Sequence, residues 1–259
     1  MKSIRFSVSL HNSLWPSLTG LALWGLVTRL LLLLKCSIIS LLLLSSSFSL
    51  TIIWLLSMDM CYEARRGEYS FHTLDNLKFR LCLFVLREVI LFFAFFWSYF
   101  HYSFSPSIFT GGSWPPFGIL LINPIGIPLF RTLLLIRRGI SITWRHHLTI
   151  TGKRIERLYS LSSTILLGSL FLVNQFIEFT QAPFTLRDSV LGSIFFTLTG
   201  LHGFHVIVGT FLLAVRGIRL YSLHFRATTH TFYELSIWYW HLVDCVWLLV
   251  YTLLYWWGR

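Results

Sequence analysis

Residues Lys78 to Phe104 read K-F-R-L-C-L-F-V-L-R-E-V-I-L-F-F-A-F-F-W-S-Y-F-H-Y-S-F. This stretch is longer than the about 20 mainly apolar residues that a helix needs to cross a bilayer, and it is rich in aromatic side chains. It therefore predicts a membrane-spanning helix. Glu88 lies about ten residues inside this helix, or about 15 Å along it, which is close to the middle of the membrane.

Similar apolar runs occur along the whole chain. Of its 259 residues 55% are hydrophobic and 12% are charged, whereas a soluble domain has about 25% charged residues. We predict an all-α polytopic membrane protein with a single membrane domain over residues 1–259. The seven predicted transmembrane helices are Leu14–Leu34, Cys36–Ser57, Lys78–Phe104, Ile125–His147, Leu158–Thr180, Ser189–Val215 and Leu235–Trp257. Because almost no loop separates the first two, we expect them to form a tight antiparallel hairpin.

The excess of positive charge predicts an orientation. The chain has 21 Lys and Arg against 10 Asp and Glu, and the basic residues lie between apolar runs. This pattern favours loop charge that orients membrane helices over nucleic-acid binding. With the N-terminus on the positive side, thirteen Lys and Arg fall on that side and four, among them Arg131, on the other. The C-terminus then lies on the opposite face of the membrane from the N-terminus.

Ionisable residues inside the predicted spans are the candidate functional groups. A carboxyl at the position of Glu88 is costly unless it is neutral, paired or faces a polar interior. A proton-linked role and a purely structural hydrogen-bonded role are both open. Arg87 is adjacent to it, but successive residues on a helix do not face each other, so the sequence does not predict a simple pair. Arg137 and Arg138 also lie near the middle of a span and need partners.

The histidines raise the possibility of a metal site. His202 and His205 share one helix face, as do His241 and Asp244, and His146 and His147 lie at a helix end. We interpret them as hydrogen-bonded structural groups, and we predict no metal site. Two further functions are open at this point. A proton-coupled transporter would use Glu88 as its carrier site, and a membrane desaturase would need histidine boxes that the sequence lacks.

Six motifs, in order along the chain, resemble those of cytochrome c oxidase subunit III. They comprise W-P with L-T-G near Trp15–Gly20, R-E-V-I-L-F-F-A-F-F-W-S-Y-F-H at Arg87–His101, G-G-S-W-P-P at Gly111–Pro116 with N-P at Asn123–Pro124, S-I-T-W-R-H-H at Ser141–His147, G-L-H-G-F-H-V-I-V-G at Gly200–Gly209, and W-Y-W-H-L-V-D-C-V-W at Trp238–Trp247 with Y-W-W-G at Tyr255–Gly258. Together they cover essentially the whole chain.

The resemblance implies a fold of two helices and five helices arranged as a V that holds phospholipid. It implies an accessory subunit, without a redox centre or catalytic residue, of the enzyme that transfers electrons from cytochrome c to oxygen and pumps protons. Haem a and copper would belong to the partner subunits I and II. The implied roles are to stabilise subunit I, to hold lipids and to support proton uptake. The implied location is the mitochondrial inner membrane, with the N-terminus in the matrix and the C-terminus in the intermembrane space.

The resemblance also carries site residues. Glu88 corresponds to the membrane-buried carboxyl of the family. Contacts with phosphatidylglycerol, phosphatidylethanolamine or cardiolipin carry over to Trp54, Glu63, His72 and Arg219. A close alternative is subunit III of a quinol oxidase, in which only the electron donor differs.

The sequence departs from the family pattern at arginines that replace small, polar or apolar residues. They are Arg80, Arg87, Arg137, Arg138 and Arg145. We expect further small or lineage-specific subunits, or anionic lipids, to face them.

Overall fold

The structure, a computed structural model, describes residues 13–36, 39–66, 71–108, 111–150, 154–221 and 231–258. In these ranges it contains seven helices and no strand, which confirms the predicted all-α fold. The helices are α1 (Trp15–Cys36), α2 (Ile39–Arg66), α3 (Phe71–Phe104), α4 (Ile127–Ile150), α5 (Arg154–Gln181), α6 (Val190–Tyr221) and α7 (Thr231–Val250), which continues as a π-helix over Tyr251–Trp257.

Most of the helices are longer than the predicted spans. The second was expected to end at Ser57 and ends at Arg66, and the third was expected to begin at Lys78 and begins at Phe71. The prediction counted only apolar residues, but a helix satisfies its backbone hydrogen bonds internally. It can therefore continue beyond the lipid into polar sequence.

Four helical segments within the described residues are long and apolar enough to cross a membrane by length and composition. They are Leu43–Met60, Tyr159–Gln181, Val190–Val215 and Ser236–Trp257. This finding fits the predicted polytopic helical membrane protein. Helix α4 is also long enough, with 24 residues, but it carries Arg131, Arg137 and Arg138 along its length.

The chain divides into two compact units, Met1–His72 and Thr73–Arg259. In the first unit α1 and α2 pack as the antiparallel pair that the sequence predicts. The indole Nε1 of Trp15 donates to Asp59 Oδ2 at 2.6 Å, and the hydroxyl of Ser49 donates to the Ala22 carbonyl at 3.2 Å. The small side chains of Ala22 and Ser49 are buried, so the two backbones approach closely. The predicted turn at residues 37–38 lies outside the described residues.

In the second unit α3 packs on α6 and on the π-helical end of α7 through one aromatic face. Phe92, Phe96 and Tyr99 are buried at helical spacing, whereas Trp97 is exposed. The Tyr99 hydroxyl donates to the Leu253 carbonyl at 3.2 Å, and the ring of Trp114 meets the Tyr99 ring edge-on at 5.5 Å. These contacts hold α3 in a fixed rotation and so direct Glu88 into the unit.

Helices α6 and α7 approach each other closely at Gly209. A Cβ at this position would lie 2.6 Å from Cζ2 of the fully buried Trp240. Only a residue without a side chain fits there, and the contact places the inward face of α6 directly against α7.

Candidate functional site

The carboxyl of Glu88 lies in a buried polar site between α3 and α6. Glu88 is 4% exposed, and its Oε2 lies 2.9 Å from Nε2 of His205. The ring of Phe92 covers the imidazole at 5.2 Å, and the hydroxyl of Tyr239 donates to the His205 carbonyl at 3.1 Å. Apolar packing therefore surrounds one carboxyl–imidazole hydrogen bond.

The hydrogen-bond pattern fixes how many protons this pair shares. Nδ1 of His205 lies 2.8 Å from the Leu201 carbonyl, which can only accept, so Nδ1 carries a hydrogen. The bond between Nε2 and Glu88 then needs one further proton. That proton resides either on the carboxyl of a neutral pair or on the imidazole of an ion pair, and it can pass between two atoms 2.9 Å apart.

Arg87 contacts the other carboxylate oxygen of Glu88. Its Nε and Nη2 lie 3.0 and 2.5 Å from Glu88 Oε1, and its guanidinium lies over the Phe84 ring at 4.8 Å. The sequence did not predict this pair, because neighbouring residues point away from each other on a helix. The long arginine side chain turns back along α3, and 70% of it remains exposed.

A second buried pair joins α4 to α7. Nη2 of Arg138 lies 2.5 Å from Asp244 Oδ1, and its guanidinium lies 3.9 Å above the centre of the Trp240 ring. Arg138 is 1% exposed. The partner that we expected in another subunit or a lipid is therefore present in this chain for Arg138.

A third buried pair joins α4, α5 and the end of α7. Arg131 donates to Glu178 and to Gln175, and also to the Tyr255 hydroxyl at 2.9 Å. Its guanidinium lies 4.5 Å from the Trp247 ring centre. Arg131, which the charge count placed on the side opposite the N-terminus, is fully buried within α4. Arg131 acts as an interhelical ion-pair partner and does not count as loop charge.

Histidines and acidic residues do not form a metal cluster in the described part of the chain. Nε2 of His202 contacts the Val243 carbonyl at 3.2 Å, and His205 contacts Glu88, so the interpretation of both as hydrogen-bonded groups is confirmed. His146 and His147 lie in α4, but their side chains are outside the described part.

The residues predicted to contact lipid are only partly described. Trp54 is exposed on α2, and Glu63 is half-buried near the end of the same helix. His72 and Arg219 lie in α3 and α6, but their side chains are outside the described part. Their lipid contacts stay a prediction.

A sequence profile described as cytochrome c oxidase subunit III matches residues 6–259 of the chain. The chain belongs to the cytochrome c oxidase subunit III family. A protein named cytochrome c oxidase subunit 3 from Paracentrotus lividus is 43% identical to it over 251 residues, which are 96% of this chain and 95% of that relative. The protein of the same name from Pisaster ochraceus is 48% identical over 192 residues, 73% of this chain and 74% of that one. The relative from Arabidopsis thaliana is 46% identical over 183 residues, 71% and 69% of the two chains.

The predicted resemblance is thus confirmed, and family membership favours a subunit III over the transporter and the desaturase that the sequence left open. As a member of this family the chain is an integral membrane subunit of an oxidoreductase complex and assembles with other subunits.

Three of the motifs that identified subunit III also build the site. The third-helix motif supplies Glu88, the sixth-helix motif supplies His202 and His205, and the seventh-helix motif supplies Tyr239 and Asp244. The motifs lie far apart in sequence but meet in one polar interior. The sequence did not predict the partners of these residues, nor the roles of Gln175, Glu178 and Tyr255.

Proposed function

We propose that the chain is a non-catalytic subunit of cytochrome c oxidase that stabilises subunit I, holds phospholipid and supports proton uptake while electrons pass from cytochrome c to oxygen. Haem a and copper belong to the partner subunits I and II in this proposal. The observation that carries it is the Glu88–His205 pair, which lies buried between α3 and α6 and whose hydrogen bond needs one shared proton. Family membership supplies the complex in which the pair acts.

The surroundings of Glu88 support the proposed proton role. One carboxylate oxygen faces His205, and the other faces the exposed guanidinium of Arg87. A proton that leaves this site therefore leaves a carboxylate that still has a cationic neighbour, which reduces the cost of charge inside the membrane. This geometry supports a group that takes up and returns a proton without unfolding its surroundings.

The assembly is tested by purifying the complex through this chain in mild detergent. We expect the absorbance of haem a, with subunits I and II at one copy each by mass spectrometry. A colourless preparation that lacks both subunits would refute the proposal. Reduction of the preparation by cytochrome c, as opposed to a quinol, tests the electron donor.

Glu88→Gln tests the proton role. The amide fills the same space and can hydrogen-bond to His205, but it cannot carry the exchangeable proton. We expect a complex with normal haem a content that loses activity after fewer turnovers, and we expect Glu88→Asp, which keeps an acid, to retain more of the wild-type lifetime. If Glu88→Gln survives as many turnovers as wild type, the carboxyl is structural.

Lipid binding is proposed at Trp54, Glu63, His72 and Arg219. The exposed indole of Trp54 in a membrane helix and the charged groups near the helix ends suit the boundary between acyl chains and head groups. Native mass spectrometry of Trp54→Ala and Arg219→Ala complexes should show fewer retained phospholipids. Unchanged lipid stoichiometry in both variants would argue against these positions.

We further propose a mitochondrial inner-membrane location with the N-terminus in the matrix. Removal of the buried Arg131 from the loop count leaves thirteen basic residues on the N-terminal side against three on the other, so the charge asymmetry increases. Protease treatment of mitoplasts should cleave a tag at the C-terminus and leave an N-terminal tag intact. The reverse pattern would overturn this orientation.

A further inference from the structure

Arg137 is a membrane arginine without a described partner. Its neighbour Arg138 pairs with Asp244, and Arg87 pairs with Glu88. The side chain of Arg137 is exposed, and no hydrogen bond or ion pair joins it to any residue in the described part of the chain.

The packing of α4 places Arg137 at mid-bilayer depth. On one side of it, Ser141 contacts Thr164 of α5 at 3.0 Å, and on the other Arg131 pairs with Glu178. On α5, the residues at the same level as Arg137 therefore lie between Thr164 and Glu178, near the middle of the span Tyr159–Gln181.

The same depth follows from the helix itself, because Arg137 lies about 15 Å from Ile127 at a rise of about 1.5 Å per residue. This distance exceeds the length of an arginine side chain. By extending along α4 the side chain can therefore cover only part of the distance to the start of the helix.

The surface around Arg137 is apolar and exposed. Phe130, Leu133, Ile136 and Ile140 are each about half exposed or more, and together with Arg137 they form one stripe at helical spacing. An unpaired arginine at the centre of a span costs about 2.5–3.5 kcal/mol on insertion scales. The arginine gains a neutralising contact only if another protein segment brings an acid to the same depth.

We propose that this stripe docks a transmembrane helix of a partner oxidase subunit, and that this helix presents an Asp or Glu to Arg137 at mid-bilayer. The apolar residues of the stripe would pack against the partner helix, and the ion pair would fix its depth and rotation. A phospholipid is a poorer occupant, because its phosphate stays at the interface. The inference uses membership of the complex but no property of Glu88.

Photo-cross-linking in the intact complex identifies the occupant. A photoreactive amino acid at Ile140 leaves Arg137 in place, and the same group at Ile207, which is exposed on α6, is the control. We expect Ile140 to cross-link to a partner transmembrane peptide that carries Asp or Glu, and Ile207 not to label that peptide. Cross-links from Ile140 to lipid only, or to a segment without an acid, would overturn the proposal.

Substitution of Arg137 tests the ion pair. Arg137→Leu should reduce the amount of that partner recovered with this chain by about tenfold, and Arg137→Lys should restore most of it. Exchange of the partner's acid for Lys should rescue Arg137→Glu. Equal recovery in all variants would refute the ion pair. The haem a spectrum of wild type remains the separate test of the proposed function, so the two can fail independently.

Discussion

The buried pair of Arg131 and Glu178 gives the sharpest prediction about stability. Arg131→Met removes the cation and leaves the Glu178 carboxylate, 3% exposed, with only the Tyr255 hydroxyl at 3.2 Å. An uncompensated buried charge costs about 3–5 kcal/mol. At about 2–4 °C per kcal/mol for a chain of this size, the melting temperature should fall by about 10 °C.

The double variant Arg131→Met/Glu178→Met should recover most of this loss, because an apolar pair of similar volume needs no counter-charge. The assay is size-exclusion chromatography of this subunit after the purified complex is heated in steps. Leu133→Met, on the exposed face of α4, is the control and should change stability by less than about 0.5 kcal/mol. If the double variant is as unstable as the sum of both single variants, the two side chains do not act as a pair.

Two further changes test packing and charge with the same heating assay. Gly209→Ala would force a Cβ to within 2.6 Å of Trp240 and should cost about 1–3 kcal/mol of stability. The control is Gly200→Ala, which has nothing within 4 Å of its new Cβ and should not lower stability. Equal stability of the two variants would contradict the close approach of α6 and α7. Asp244→Asn leaves Arg138 buried without a counter-charge and should cost about 3–5 kcal/mol, and a loss below about 1 kcal/mol would show that Arg138 finds another partner.

The helices could be predicted because apolar runs report directly on membrane crossing. Their ends were less accurate, since composition does not show where a helix stops once it leaves the lipid. Arg131 shows why the ion-pair partners of the buried arginines were not predicted. Hydropathy scores each residue alone, and Glu178 is far away in sequence.

A signal for this pair did exist. Consecutive membrane helices run antiparallel, so the start of α4 and the end of α5 lie at the same side of the membrane. Arg131 and Glu178 each lie about one turn from those ends. A comparison of the membrane depths of acidic and basic residues on consecutive helices would therefore have predicted this pair. The contact of Glu88 with His205 offers no such signal, because α3 and α6 are not consecutive and several polar residues share that depth.

The pairing of Arg138 with Asp244 has a consequence for biosynthesis. Helix α4 precedes α7 along the chain, so the acid that neutralises Arg138 reaches the membrane only after α4 has been made. Until then a nascent chain holds a mid-membrane arginine at a cost of about 2.5–3.5 kcal/mol. A chain that stops before Thr231 keeps this defect permanently. Insertion of α7 therefore removes an unpaired charge from the membrane, and nascent chains without α7 differ from chains with it in a charge that insertion and degradation machinery can detect.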